Sequence, residues 1–143
     1  MECNKVKLVM DSKSQNESLA RTMVAAFITP LDPDMNTLSD VKTAVSEAVT
    51  NAIIHGYKNG SGEIELSMEI NNGTLHISIT DHGAGIADIE QAMKPLYTTS
   101  NPEMERAGMG FTVMESFMDK VRVSSTKGQG TVVEMTRDLN PDG

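Results

Sequence analysis

The stretch SEAVTNAIIHG, residues 46–56, decides the fold of this chain, because its spacing is typical of an amphipathic helix. Glu47 and Asn51 are four residues apart, and a helix with 3.6 residues per turn stacks them on one face. The apolar stripe beside them consists of Val41, Val45, Ala48 and Ala52. We therefore expect a carboxylate and an amide to lie side by side at the border of the core, where packing restricts their rotamers.

Composition limits the classes of function that suit the chain. Its 143 residues fit one domain with one core. The 20 acidic and 12 basic side chains give a formal net charge of -8, which disfavours direct binding to nucleic acid. Cys3 is the single cysteine, which excludes an internal disulfide and a cysteine zinc site. We expect a cytoplasmic protein with no membrane association, because no apolar run approaches the roughly 20 residues that span a bilayer.

Capping patterns predict where the first two helices begin. Ser14 and Glu17 have the spacing of a capping box, which predicts the start of a first helix. Thr37 and Asp40 have the same kind of spacing, and they predict the start of the helix that carries Glu47. We expect this second helix to end at Gly56, with the glycine in a left-handed conformation.

Period-two alternation predicts the strands of a sheet. The first of these strands suits a sheet edge, and Asn72-Gly73 predicts a tight hairpin turn between the second and the third. The predicted strands cover residues 5–10, 64–70, 75–79, 121–123 and 131–135.

The long segment after the predicted hairpin predicts a loop and a third helix. Residues 94–107 have no apolar period, and a loop of this length in a small domain is typical of a lid, which we place at about 94–108. A short helix near residues 88–93 and a third main helix over 109–118 flank it. These elements predict one α+β domain over residues 1–143, a two-layer α/β sandwich whose mixed, mostly antiparallel sheet is covered on one face by helices.

Asp81 is a candidate ligand for a flat, amine-bearing base. It ends a predicted strand and is followed by Gly83 and Gly85, and glycines at alternate positions allow the backbone to approach a ligand closely. A carboxylate there can accept a hydrogen bond from the exocyclic amine of adenine. An ordinary turn at the end of a strand has the same sequence, so this motif alone leaves both interpretations open.

Residues of two other segments suit phosphate and metal chemistry. The Gly108-Met109-Gly110 sequence is predicted to open the third helix, where free amides and the helix dipole attract anions. Arg106 is either a solvated charge or a cation aimed at a terminal phosphate. The amide oxygen of Asn51 suits Mg²⁺, which favours a few protein oxygens together with phosphate oxygens and water. The alternative for Glu47 and Asn51 is a solvated helix surface.

The order of these motifs resembles a known group of ATP-binding proteins. Glu47/Asn51, Asp81-x-Gly83-x-Gly85, Gly108-x-Gly110 and Gly130-Thr131 occur in the order found in the fold shared by gyrase B, Hsp90, sensor histidine kinases and MutL. A narrower resemblance covers nearly the whole chain. SEAVTNAIIHGY at 46–57, PLYTT at 95–99 and RAGMGFT at 106–112 are similar to the anti-sigma F factors of endospore-forming bacteria.

The resemblance implies a protein with two activities. Members of that family bind a sporulation sigma factor when loaded with ATP and Mg²⁺, form homodimers, and phosphorylate a serine of an anti-anti-sigma factor. It also implies roles for single residues. Glu47 would be the general base, Asn51 the magnesium ligand, Arg106 the cation at the terminal phosphate and Arg21 a contact to a protein partner. The implied nucleotide-binding residues are Asn51, Asp81, Gly83, Gly85, Thr98, Thr99, Gly108, Met109, Gly110 and Thr131.

Two other interpretations remain at this point. One is a nucleotide-gated module that binds a sigma factor without significant phosphoryl transfer, which Glu47 disfavours because a pure binding module needs no base. The other is the catalytic domain of a sensor histidine kinase, which needs a phosphoacceptor histidine on a helix pair upstream, whereas 36 residues precede the predicted second helix.

Overall fold

One antiparallel sheet and three α-helices make up the part of the chain that the computed structural model describes, residues 3–58, 60–84 and 102–139, with backbone alone for 102–108. The sheet has five strands in the order β1-β2-β3-β5-β4, and each neighbouring pair is antiparallel. The elements are β1 (Cys3–Asp11), α1 (Gln15–Ile28), α2 (Met35–Asn51), β2 (Glu63–Asn71), β3 (Thr74–Asp81), α3 (Pro102–Phe117), β4 (Lys120–Thr126) and β5 (Gly130–Asp138).

Strands β2 and β3 form the antiparallel hairpin that the alternation predicted, and in the sheet they lie between β1 and β5. Its turn residues Asn72 and Gly73 have φ of 53° and 83°, the double positive φ that a tight two-residue hairpin requires. One face of the hairpin is almost fully buried, since strand residues alternate between two faces. The side chains on that face are Ile64, Leu66, Met68, Ile70, Leu75, Ile77 and Ile79.

The helices pack on this buried face, and α2 contacts both α1 and α3. The predicted stripe of α2 is confirmed, because Val41, Val45, Ala48 and Ala52 are at most 3% exposed. The two-layer α+β arrangement is therefore confirmed. Its sheet contains antiparallel pairs throughout the described residues, so the parallel component of the expected mixed sheet is not found in that part of the chain.

The predicted capping boxes are wrong in detail. Helix α2 begins at Met35 and is capped by Asp34, whose carboxylate accepts a hydrogen bond from the Thr37 amide at 2.7 Å. An aspartate caps strongly because its charge also lies near the positive end of the helix dipole. Ser14 precedes α1, but its hydroxyl makes no capping hydrogen bond to the described residues. The Glu17 carboxylate pairs with Arg21 instead.

The end of α2 also differs from the prediction. After Asn51 the chain continues as a short π-helix, Ala52–Gly56, a feature that occurs often at functional sites. The left-handed residue is Lys58, with φ of 52°, rather than Gly56. Gly56 is a glycine for another reason, the close approach of β3 described below.

Helix α3 starts earlier than the prediction. It begins at Pro102, so Gly108-Met109-Gly110 lies inside the helix and not at its amino end. Proline suits the first helical turn, and a glycine weakens a helix by only about 1 kcal/mol without ending it. Residues 102–107, which were expected to belong to an irregular loop, are therefore helical, while 94–101 and the short helix near 88–93 lie outside the described residues. The lid at about 94–108 stays a prediction. Within the described ranges, each helix is too short or too polar to cross a lipid bilayer.

Candidate functional site

Asp81 is a buried carboxylate at the end of the central strand β3. Its exposed fraction is 5%, and in the sheet it lies between Ile64 of β2 and Thr131 of β5. Burial raises the pKa of Asp81, and the amides of Gly83 and Thr131 partly offset this effect. Its Oδ1 accepts the Gly83 N–H at 2.9 Å. A carboxylate has about four acceptor positions, so these amides leave capacity for a ligand donor.

Glycines allow three backbone segments to meet around Asp81. A Cβ on Gly56 would lie 2.8 Å from Asp81 Cγ, and a Cβ on Gly83 would lie 2.0 Å from the Gly56 carbonyl oxygen. A Cβ on Gly130 would lie 2.1 Å from the Asp81 carbonyl oxygen, and Gly130 has φ of +114°. Any side chain at these positions would collide with backbone or with the carboxylate. The structure thus gives Gly83 a packing role against the π-helix, which the sequence interpretation as an approach to a ligand did not include.

Thr131 lies beside Asp81 in the sheet. It is 7% exposed, and its Oγ1 is 2.8 Å from the Ser125 Oγ of strand β4. The structure therefore brings Asp81, Gly83 and Thr131 together at one end of the sheet. Gly85, Thr98 and Thr99 lie outside the described residues.

Asn51 lies in the interface between α2 and α3. Its side chain faces Gly110, where a Cβ would be 2.8 Å from Asn51 Nδ2 and 3.0 Å from Oδ1. Asn51 Nδ2 is buried and has no hydrogen-bond partner among the described residues. A buried unpaired donor costs about 1–3 kcal/mol, which a bound group can recover. The structure therefore brings Asn51 and Gly110 together, although Gly110 is not at a helix terminus.

The chemistry of this amide fits a magnesium-bound phosphate. An asparagine amide has an oxygen acceptor that suits a hard cation and N–H donors that suit phosphate oxygens. Clusters of three or more His, Cys, Asp or Glu able to hold a metal are not found among the described residues. A Mg²⁺ ion held here would thus depend on Asn51 together with oxygens that the phosphates supply.

Glu47 is half-buried on the same flank of α2, one turn before Asn51. Burial raises the pKa of Glu47, and the negative charge of Glu17 raises it further. Glu17 of α1 is linked to α2, because the Ser46 hydroxyl donates a hydrogen bond to Glu17 Oε1. A carboxylate with a raised pKa is better matched to proton transfer near neutral pH.

Arg21 is bound to its own helix beside this carboxylate pair. Its Nε is 2.9 Å from Glu17 Oε1, and its Nη2 donates to Ser18 Oγ at 3.1 Å. Arg21 and Ser46 line an open groove of about 410 Å³ between α1 and the beginning of α2. Glu17 links Arg21 to Ser46, the residue before Glu47. This link between α1 and α2 was not predicted, because no local pattern joins the two helices.

The remaining predicted residues lie on α3. Met109 is 67% exposed. Arg106 and Gly108 belong to the same helix, where the structure describes the backbone alone.

Tyr57 is a site residue that the sequence analysis missed. Its hydroxyl donates to the Glu63 carbonyl oxygen at 2.6 Å and accepts the His82 N–H at 2.8 Å. It thereby joins the end of the π-helix to the residues that follow Asp81. The one available signal was its position directly after Gly56, where an aromatic residue follows the expected end of a helix.

Comparisons with known proteins show the family and the fold of this chain. The family model described as the histidine kinase-like ATPase domain matches residues 11–137. A protein of Clostridium botulinum (strain Eklund 17B / Type B) named anti-sigma F factor is 58% identical over 138 residues, 96% of both chains. A protein of Thermoanaerobacter sp. (strain X514) with the same name is 55% identical over 139 residues, 97% of this chain and 96% of that protein.

Two solved structures have a similar fold. A crystal structure of RsbU and RsbW domains from Mycobacterium tuberculosis aligns with a TM-score of 0.69 at 19% identity, covering 95% of this chain and 32% of that one. The catalytic domain of the histidine kinase ThkA aligns with a TM-score of 0.58 at 16% identity, covering 97% of this chain and 98% of that one. At these identities the two structures bear on the fold alone.

Proposed function

This chain belongs to the anti-sigma F factor family of histidine kinase-like ATPase domains, and from this premise we propose that it is an ATP-dependent anti-sigma factor and protein serine kinase. It binds and inhibits a sporulation sigma factor of the F type when ATP and Mg²⁺ are bound. It transfers the terminal phosphoryl group of ATP to a serine of an anti-anti-sigma factor. The whole chain, residues 1–143, acts as one domain, in the cytoplasm and as a homodimer.

The observation that carries this proposal is the pairing of two groups on one flank of α2. Glu47 has a raised pKa, and Asn51 has an amide donor without a partner in the described residues. A base and a phosphate-binding amide one helical turn apart suit phosphoryl transfer to a hydroxyl better than nucleotide binding alone.

Asp81 and its neighbours suit the adenine end of the nucleotide. The Asp81 carboxylate, held by the Gly83 amide, accepts a hydrogen bond from the exocyclic amine of the base. Thr131 lies beside Asp81 in the sheet. A buried acceptor that loses its donor is costly, so such a site discriminates between bases. The π-helix Ala52–Gly56 begins directly after Asn51 and ends at Gly56, which lies against the Asp81 carboxylate.

Asn51, Arg106 and the α3 residues around Gly110 suit the phosphate end. Mg²⁺, when bound, would neutralise charge on the phosphate oxygens, and the Asn51 amide oxygen would be its protein ligand. Gly110 leaves the space that the amide occupies, and Arg106 supplies a positive charge for the terminal phosphate.

Glu47 performs the proton transfer. A serine hydroxyl is a weak nucleophile while protonated, so a carboxylate must accept its proton as the oxygen attacks phosphorus. The raised pKa of Glu47 makes it a stronger base than an exposed glutamate. Arg21, which lies beside Ser46 and Glu17, offers the adjoining surface to the protein partner.

The decisive experiment measures binding and transfer on the same variant. Glu47→Gln keeps the size of the side chain and removes the base, so we expect phosphoryl transfer to fall by about 10²–10⁴-fold. ATP binding and ATP-dependent capture of a sigma factor should be unchanged. The measurements are ATP titration, pull-down of a purified F-type sigma factor, and transfer of labelled phosphate to a purified anti-anti-sigma factor.

Asn51→Ala is the matched control on the same flank. It should weaken magnesium-dependent ATP binding and sigma capture together, because it removes the amide and keeps Glu47. Full transfer by Glu47→Gln would exclude Glu47 as the base. Capture of the sigma factor by wild-type protein that transfers no phosphate would instead identify a nucleotide-gated binding module without kinase activity.

A further inference from the structure

Three successive backbone amides after strand β3 are each bound by the protein itself. The His82 amide donates to the Tyr57 hydroxyl at 2.8 Å, and the Gly83 amide donates to Asp81 Oδ1 at 2.9 Å. The Ala84 amide donates to the Gly56 carbonyl oxygen at 2.7 Å. Two of the three acceptors come from adjacent residues at the end of the π-helix. The peptide that follows Asp81 therefore has its orientation set from the α2 side.

The Tyr57 side chain is itself held in place. A Cβ on Gly62 would lie 2.3 Å from Tyr57 Cε1, so the ring packs directly on that backbone. Its hydroxyl donates to the Glu63 carbonyl oxygen at 2.6 Å, which directs the oxygen lone pairs towards the His82 amide. The Tyr57 amide is bound to the Ala52 carbonyl oxygen at 2.9 Å, within the π-helix. Backbone contacts thus fix both ends of this residue.

The bond from Tyr57 acts on the residue next to the proposed adenine acceptor. The peptide plane between Asp81 and His82 carries the amide that Tyr57 holds, and its rotation would move the Gly83 amide that holds Asp81 Oδ1. A hydrogen-bond acceptor must be aligned closely to discriminate between donors. A tyrosine hydroxyl that touches no ligand can therefore set how well a ligand's amine is recognised.

We propose that Tyr57 is a positioning residue for base recognition: its hydroxyl orients the turn after β3 so that the Asp81 carboxylate meets the exocyclic amine of adenine. This inference rests on the proposed binding of ATP. On this proposal, Tyr57 supports the preference for adenine, which carries its exocyclic amine at the position facing Asp81, over guanine. Tyr57 has no role in binding the phosphates.

The test is Tyr57→Phe, which removes the hydroxyl and keeps the ring on Gly62. We expect ATP affinity to fall by up to about tenfold, the effect of one hydrogen bond, while GTP affinity changes little. The ratio of ATP to GTP affinity should therefore decrease. The ratio of ATP to ADP affinity should stay constant, because both nucleotides carry the same base.

Thr29→Val is the matched control, because it also removes a hydroxyl that donates to a backbone carbonyl oxygen. The Thr29 hydroxyl donates to the Ala25 carbonyl oxygen at the end of α1, on a different element from Tyr57. Thr29→Val should leave the ratio of ATP to GTP affinity unchanged, even if urea unfolding shows that it loses as much stability as Tyr57→Phe. A purely structural role for Tyr57 would lower ATP and GTP affinity equally, and that result would overturn the inference. Absence of ATP binding in the wild-type protein would overturn the proposed function instead.

A second measurement needs no variant. In the wild-type protein without nucleotide, the amides of His82, Gly83 and Ala84 should exchange slowly with deuterium, because each has a protein acceptor. Exchange of the His82 amide as fast as an exposed loop amide would show that the Tyr57 bond does not form in solution. The inference would then fail, whether or not Tyr57→Phe folds.

Discussion

At the scale of single residues, the chemistry of α2 depends on charges supplied by α1. Glu17 lies between Arg21 and Ser46 and raises the pKa of Glu47 through its negative charge, in addition to the larger effect of burial. The proposed base is thus adjusted by a residue that belongs to a different helix. Arg21 and the Ser46 hydroxyl both contact the Glu17 carboxylate.

This arrangement predicts a shift in the pH dependence of phosphoryl transfer. Glu47 accepts a proton only when ionised, so the rate should fall on the acidic side of its pKa. Glu17→Gln removes a negative neighbour and lowers the pKa of Glu47, which moves the acidic limb to lower pH. The measurement is the rate of serine phosphorylation between about pH 4 and 8.

Glu65→Gln provides the control with the same change of charge. Glu65 lies on β2 and pairs with Lys7 at 3.4 Å, away from the flank of α2 that carries Glu47. Its replacement should leave the acidic limb in place. An equal displacement of the acidic limb in Glu17→Gln and Glu65→Gln would show that net charge, and not the Glu17 contact, causes the shift.

At the scale of elements, α3 packs against α2 at a point where Gly110 faces the side-chain amide of Asn51. Replacing a helical glycine with alanine normally stabilises a protein by about 0.5–1 kcal/mol. At Gly110 the added methyl would lie 2.8 Å from Asn51 Nδ2, so we expect Gly110→Ala to destabilise the protein instead. In an Asn51→Ala background the same substitution should become stabilising, because the obstructing amide is gone.

The measurement is a double-mutant cycle of urea unfolding at the two positions. A coupling of about 0.5–3 kcal/mol is expected for residues in direct contact. Additive effects of the two substitutions would show that α3 does not cross α2 at this point.

At the scale of the whole molecule, the buried carboxylate of Asp81 makes global stability depend on pH. Its pKa is raised on folding, so its contribution is fully present below the ordinary carboxyl pKa and is lost as pH rises through the raised value. Asp81→Asn has no such loss. The free energy of unfolding of this variant, relative to wild type, should therefore increase from about pH 4 towards neutral pH.

Asp34→Asn should behave in the opposite way in the same urea experiment. Hydrogen bonds to Thr37 lower the pKa of Asp34, so its contribution is present above the ordinary carboxyl pKa and is lost as pH falls. The stability of that variant relative to wild type should decrease as pH rises through the acid range. A difference between Asp81→Asn and wild type that does not change with pH would contradict the burial of an ionisable Asp81.

The sequence by itself determined the features that follow from local backbone geometry. The period of 3.6 residues placed Glu47 and Asn51 on one flank of α2, and the period of two with Asn72-Gly73 predicted the hairpin of β2 and β3. Chemistry that needs one residue type in one local pattern, such as a carboxylate at the end of a strand, was predictable in the same way.

Only the tertiary structure decided how these segments meet. Gly56 was expected to be a left-handed cap, but the space for a side chain at Gly56 is taken by the carboxylate of Asp81, which is distant in the chain. The tie from Tyr57 to His82 likewise has no local signature. Local patterns report the energy of neighbouring residues, whereas these features depend on packing between segments that the chain brings together only on folding.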